Sequence, residues 1–497
     1  MQAGNVIPRY DSPGVPKASK YVVKSVDQNN FAPRVGFAYS PLSSGRLVVR
    51  GGFGIFYSRP TFQYGTFSVP APPTYILGRR PNAPLSTPFF QAPPENQFPK
   101  FMPGVTLSGT FFDRNIRTPY FNQYNASVQY ELFKNLLVEV AYVGTRGLNQ
   151  FRQIAINQAH LASPRNPIIN VVTGATITTN TPANAPLRAP FQGVEINGFL
   201  QNQSTAQSSY NSLQASLTKQ LSRRLQLLGS YTYARSIDNS SGQGAGAGIN
   251  GIVNPGAIGD TSGILGNQFD NRANRGVSDF DRTHRFVLSY LWELPKPALT
   301  ARSSARQWLL SDWQMAGIIV AMSGLPIDIV DSGAGSLYGL NGPSALARPS
   351  YAPGASRKTA ASNIPAGYFF NPFAFARPTV LSGQLIPSSN GTATASATGT
   401  DLGNVGRNVL RGPRQINVDF SIIKRFPFGG SKNIELRVEF FNLLNHVNLA
   451  NPISDLNAIV PSGIDSSGQI IAPGDFGRII STSNNPRLIQ LALKFKF

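Results

Sequence analysis

Apolar and polar residues alternate with a period of two along several stretches of the chain, the spacing that sends successive side chains to opposite faces of a sheet. The final stretch is the plainest. Ile489, Leu491, Leu493, Phe495 and Phe497 share one face, and Gln490, Ala492, Lys494 and Lys496 share the other. Ile434, Leu436, Val438 and Phe440 likewise oppose Glu435, Arg437 and Glu439. Ile416, Val418, Phe420 and Ile422 oppose Gln415, Asn417, Asp419 and Ser421, and Tyr124, Ala126, Val128 and Tyr130 oppose Asn125, Ser127, Gln129 and Glu131. Strands are predicted near 33–40, 46–57, 121–132, 136–144, 209–221, 224–237, 283–294, 311–323, 413–425, 433–445 and 486–497.

A soluble sandwich would show the same alternation, so the connections must discriminate. Short turns join the strands in pairs at Pro41 to Gly45, Phe133 to Asn135, Ser222 to Arg223 and Pro427 to Lys432, with a longer link from Pro295 to Ser311. Between the pairs lie stretches rich in Gly, Pro, Ser and Asn at 58–120, 145–208, 238–282, 324–412 and 446–485. Compact soluble domains rarely tolerate several structureless loops of that length. Alternating short and long connections mark a transmembrane β-barrel with periplasmic turns and external loops. Odd-numbered strands then descend to the periplasm, and an eleventh strand ends there at the aromatic Phe497. Aromatic residues also cluster at the predicted strand ends, as interfacial girdles require. Trp292, Trp308 and Trp313 mark one end, and Tyr142, Tyr231, Tyr233, Phe56 and Tyr57 the other.

About 11–12 strands are present; eleven is an odd count, whereas single-chain bacterial barrels use even numbers. A free edge in lipid leaves backbone groups unsatisfied, so either further strands lie inside the long loops or, the favoured reading, the missing half precedes Met1. The opening thirty residues hold no apolar segment suited to a signal peptide. The expectation is therefore an all-β, antiparallel transmembrane β-barrel, the C-terminal half of a roughly 22-strand barrel whose other half precedes Met1. Residues 1–29 are a lead-in and 30–497 the barrel portion.

Composition sharpens this picture. Charged residues make up 13% of the chain and aromatics 10%, with 47 Gly, 39 Pro and no Cys. The formal charge of +21 is spread along the whole chain without a run of like charges, which argues against nucleic acid and for anionic lipid. No apolar run is long enough for a spanning helix.

Several motifs resemble the barrel domain of the Oar-like TonB-dependent transporters. They are Asn30-Phe31-Ala32-Pro33-Arg34-Val35-Gly36-Phe37-Ala38-Tyr39, Arg50-Gly51-Gly52-Phe53-Gly54-Ile55-Phe56-Tyr57 and Tyr142-Val143-Gly144-Thr145-Arg146-Gly147. Ser230-Tyr231-Thr232-Tyr233-Ala234-Arg235-Ser236-Ile237-Asp238, Asp281-Arg282-Thr283-His284-Arg285-Phe286 and Arg437-Val438-Glu439-Phe440-Phe441-Asn442-Leu443-Leu444-Asn445-His446 complete the set. The resemblance covers nearly everything from residue 30 onward. It implies an outer-membrane receptor that binds or passes a bulky solute, assembled by the barrel-assembly machinery. The resemblance also implies a plug through which TonB would act, and the sequence has no counterpart to it.

Candidate enzyme chemistry is sparse. His160, His284 and His446 lack metal-ligand spacing. Gly246, Gly248 and Gly251 satisfy a dinucleotide pattern by count, but no strand precedes them and Asn254-Pro255 follows. No catalytic residue, metal or cofactor is assigned. His284 beside Asp279, Asp281 and Arg282 is read as fixing the start of a strand through charge-assisted hydrogen bonds. Two kinds of site are expected. Leu493, Phe495 and Phe497 would serve as a C-terminal barrel-assembly signal, and Arg146, Arg235, Arg272, Arg275, Arg407, Arg411 and Arg487 are candidates for lipopolysaccharide phosphates. The alternatives to a receptor are a passive structural or adhesive barrel and a secreted all-β carbohydrate-active enzyme.

Overall fold

A computed structural model describes residues 27–58, 107–170, 172–181, 183–191, 194–222, 224–241, 266–295, 309–332, 347–378, 385–387, 393–396, 402–429, 432–457, 460–465 and 467–497. Trp308, the glycine-rich segment around 246–255 and most of the 1–29 lead-in lie outside them.

Eleven long strands form one antiparallel meander in which each pairs with its neighbours in the chain. They are β1 (Arg34–Tyr39), β2 (Leu47–Tyr57), β3 (Tyr120–Phe133), β4 (Leu136–Ala155), β5 (Val194–Ser222) and β6 (Leu225–Asp238), followed by β7 (His284–Glu293), β8 (Trp313–Met322), β9 (Gln415–Gly429), β10 (Lys432–Phe441) and β11 (Leu488–Lys496). These are the eleven predicted strands. Among the described residues β1 pairs only with β2 and β11 only with β10, so the sheet is open. Antiparallel neighbours suit short turns, and the left-handed residues those turns need sit where expected: Gly45 and Asn135 have φ of 67° and 68°.

The register fixes two unlike faces. Val49, Val128 and Val140 lie side by side on one face, continued by Ala215, Tyr231 and Phe286. This face is exposed although it is apolar: Phe37 is 61% and Leu491 71% accessible. Such a continuous apolar surface suits lipid rather than water. The opposite face carries Gln129 beside Glu139, Gln314 beside Glu293, and Ser421 beside Glu439.

Two strands exceed the prediction. β4 runs on to Ala155 and β5 begins at Val194, so their paired ends project past the rest of the sheet, interrupted by register shifts near Gly147 and Gln150. Leu107–Phe112 runs parallel to the start of β5, an added strand with no counterpart in the sequence reading. These segments leave the apolar zone. Their side chains no longer need one greasy face, which removes the period-two signal.

The long connections also depart from expectation, for they are not structureless. Parts of 324–412 and 446–485 fold together around Ile327, Ile329, Phe370, Phe375, Leu410 and Phe476, all buried. The rings of Phe370, Phe375 and Phe476 meet edge to face at centroid distances of 5.0–5.8 Å. The principal packed apolar core of the described residues thus sits beyond the sheet, at its long-loop end.

On the apolar face Tyr124 lies over Gly144, where a Cβ would overlap its ring. Gly144→Val is expected to displace that ring and destabilise the sheet by about 1–3 kcal/mol. Urea unfolding of the detergent-solubilised protein measures this, and an unchanged midpoint would refute the packing.

Candidate functional site

The polar face of β8, β9 and β10 forms a groove of about 480 Å³ whose lining includes Ile318, Asp419, Ile423, Arg425, Arg437 and Glu439. Strand alternation places these groups together, because residues an even number of positions apart on a strand share a face. Glu435 is enclosed by Arg425 at 3.0 Å, Arg437 at 2.8 Å and Lys496 at 3.4 Å, and Arg437 also reaches Glu439 at 3.5 Å. The wall is therefore polar, ionically crosslinked and fixed in shape, able to line a water-filled passage or hold a polar body against it.

At the long-loop end a second network ties the folded loops to the strands. Arg407 pairs with Asp238 at the end of β6 and, at 2.8 Å, with Asp279. Asn408 donates to Asp279 and to the Val277 carbonyl, both at 2.6 Å, and its backbone N–H donates to Asp328 at 3.1 Å. Arg348 grips both oxygens of Asp328, at 2.7 and 3.2 Å, and Arg377 does the same to Asp331 at 2.6 and 2.9 Å. Asp281 accepts the Ser236 N–H at 2.6 Å and binds Arg411 at 2.5 Å. Burial pushes the Asp279 carboxyl above its ordinary value against the pull of Arg407. The same burial opposes charge on Arg407, but Asp279 and Asp238 outweigh it and raise its value. Asp455, in the same loop layer, is also raised by burial.

The sequence candidates separate. Arg146 and Arg235 are exposed on the apolar face, in line with Tyr142 and Tyr233 respectively. Arg272 and Arg275 are exposed on the segment before β7. Arg487 is exposed just before β11, where its backbone N–H donates to Asn445 at 3.0 Å. Arg407 corrects the phosphate expectation: its side chain is 4% accessible and committed to Asp238 and Asp279. Arg411 is also turned inward, bonded to the Asp281 carboxylate and, at 2.9 Å, to its carbonyl. His284 faces outward and shares a 2.8 Å hydrogen bond with Tyr231, while its neighbour Asp281 makes the strand-fixing contacts. Leu493 and Phe495 project from β11 onto the exposed face, and Phe495 and Phe497 line an apolar recess of about 490 Å³ with Phe426, Phe428 and Ile434.

Sequence reasoning missed the pairs Arg348–Asp328 and Arg377–Asp331. Their partners are separated by 20 and 46 residues within a loop that has no period, so no local signal marked them. Among the described residues no group of three or more His, Cys, Asp or Glu is placed to hold a metal ion. No helix among them is long and apolar enough to cross a membrane, which leaves crossing by strands untouched.

A family model of the outer membrane beta barrel domain matches residues 4–490. No curated protein matches the chain. Two solved structures to which it is similar are the outer membrane transporter YddB from Escherichia coli and the siderophore receptor PirA from Acinetobacter baumannii. The first shares 10% identity over 93% of this chain and 40% of its own, with a TM-score of 0.42. The second shares 9% identity over 94% of this chain and 41% of its own, with a TM-score of 0.39. The chain thus spans about two-fifths of the length of these structures.

Arg407→Leu would leave Asp238 and Asp279 buried without their cation, at an expected cost of about 3–5 kcal/mol. The loops should become sensitive to limited proteolysis while the strands stay protected. Loops as resistant as in the unmodified protein would show that the network does not hold them.

Proposed function

The chain belongs to the outer membrane beta barrel domain family and lies in the outer membrane, and from that premise we propose that it is the wall of a receptor that binds or passes a bulky solute. The observation that carries this reading is the asymmetry of the two ends. A polar, ion-paired inner face opens beneath a loop layer that has its own packed core and is bolted to the strands by buried salt bridges. A plain structural barrel needs neither a built-up loop layer nor a fixed polar wall, whereas capture of a solute uses both. Further strands pairing with the free edges of β1 and β11 would close the barrel, since open edges are not stable in lipid. Energy coupling would come from TonB acting through a plug seated against the inner wall.

A saturable ligand should raise the unfolding midpoint of the full chain in detergent, corresponding to a stabilisation of about 2.7 kcal/mol at a hundredfold excess over its dissociation constant. A panel of ferric siderophores, maltodextrins and oligopeptides would test this. Stabilisation by one class supports the receptor. No stabilisation by any class, together with ligand-independent surface adhesion, would favour the passive adhesive barrel.

We further propose that the outward stripe of Leu493, Phe495 and Phe497 is what the barrel-assembly machinery engages, because an exposed apolar edge strand offers both side chains and unpaired backbone groups. Phe497→Ala should lower the amount of heat-modifiable, folded protein in the outer membrane severalfold. Undiminished assembly would refute it.

A further inference from the structure

The outward face is layered at its external end. One register row carries Tyr142, Leu213, Tyr233 and His284 side by side. The next row toward the loops holds Tyr124, Gly144, Asn211 and Arg235, and the row beyond it holds Asn122, Arg146 and Ser209. Tyr124 and Tyr142 stack at 6.1 Å, and both donate to the same Asn211 oxygen, at 3.2 and 2.8 Å. Ascending from the bilayer, the surface is thus aliphatic, then aromatic, then cationic.

The sign of that charge is uniform. Glu131, Glu139, Asp238, Glu293, Asp419, Glu435 and Glu439, the strand carboxylates whose side chains are described, all take the inward parity. None of these seven competes for Arg146 or Arg235 on the outer surface. Just above, the ends of β2 and β3 border a cleft of about 880 Å³ lined by Tyr57, Tyr120, Asn149, Arg114 and Arg117. Both arginines are exposed. The cleft's one carboxylate, Asp27, is already accepting from the Thr118 N–H at 3.0 Å.

We propose that this face, from the Arg114–Arg117 cleft across β4 to β6, is a binding site for the phosphorylated disaccharide of lipid A, with Arg146 and Arg235 on its phosphates and the tyrosine row at the sugar–acyl boundary. Arg146 and Arg235 stand two strands and one row apart, about 10 Å across and roughly 7 Å along the sheet. One headgroup bearing two phosphates can reach both. The guanidinium matches phosphate oxygens in paired hydrogen bonds, and the row of tyrosines suits the depth where sugar gives way to acyl chain. The proposal rests on the membrane orientation and is independent of whether a solute is carried.

The test uses the full chain extracted from a host outer membrane in mild detergent, with retained lipid A counted by native mass spectrometry. Replacing Arg114, Arg117, Arg146 and Arg235 together by Ala should lower retention about tenfold, the scale of losing charge-assisted hydrogen bonds. The inward-facing Arg285→Ala should retain lipid A at the unmodified level. If the fourfold variant fails to assemble, competition on the unmodified protein decides: bisphosphorylated lipid A should displace the bound lipid better than its monophosphorylated form. Equal retention by the fourfold variant, equal loss in Arg285→Ala, equal competition by the two lipids, or displacement by inorganic phosphate at the same concentration would each overturn the proposal.

Discussion

Within a bilayer no water is present to bond a free peptide group, so each N–H and C=O that enters the hydrocarbon must find its partner in the protein. The eleven-strand meander is the consequence. Each strand pairs with its chain neighbour, and the ladder extends unbroken from β1 to β11. Pairing of this kind fixes the side-chain parity, and lipid on one side then demands an apolar face there. Among the described residues the outer edges of β1 and β11 have no partner strand, and the same rule makes them the least satisfied parts of the sheet.

That constraint inverts the usual placement of a core. In a water-soluble protein the sheet would bury its apolar side chains against another layer. Here Val140, Phe286 and Leu491 point outward, and the aromatic cluster of Phe370, Phe375 and Phe476 lies in the loops instead. The loops meet water and must be stabilised as a soluble domain is, by burial of apolar surface. The buried ion pair of Arg407 with Asp238 at the end of β6 connects the two regimes, while those of Arg348 and Arg377 crosslink the loop layer itself. Each arginine is paired with a carboxylate distant in sequence, and removing one partner costs more than the pair contributes. They therefore determine where the loop layer sits more than how stable it is.

Charge follows the same geometry. Carboxylates on the strands face inward, where arginines and lysines such as Arg425, Arg437 and Lys496 meet them. Arg146 and Arg235 stand on the outward face at the external end, next to tyrosines. A net positive chain with no concentrated basic run is explained by this division between two faces and by the loops.

The eleven strands, their order and the contrast between short turns and long loops were all legible in the sequence. In lipid, period-two alternation is enforced at every residue and is visible locally. The legibility ended where the lipid ended. The far ends of β4 and β5 were lost, because outside the bilayer Arg146 to Ala155 and Val194 to Ser208 need no apolar face. For the loop segments, tertiary structure alone brought Asp328 to Arg348 and Phe370 to Phe476, and it withdrew Arg407 from the surface where its exposed relatives Arg146 and Arg235 remain. Sequence by itself determined which residues face the membrane, since strand geometry and lipid impose that one residue at a time. Which charges meet, and which are left for a partner, depended on contacts between residues up to 169 positions apart, and no local pattern encodes these.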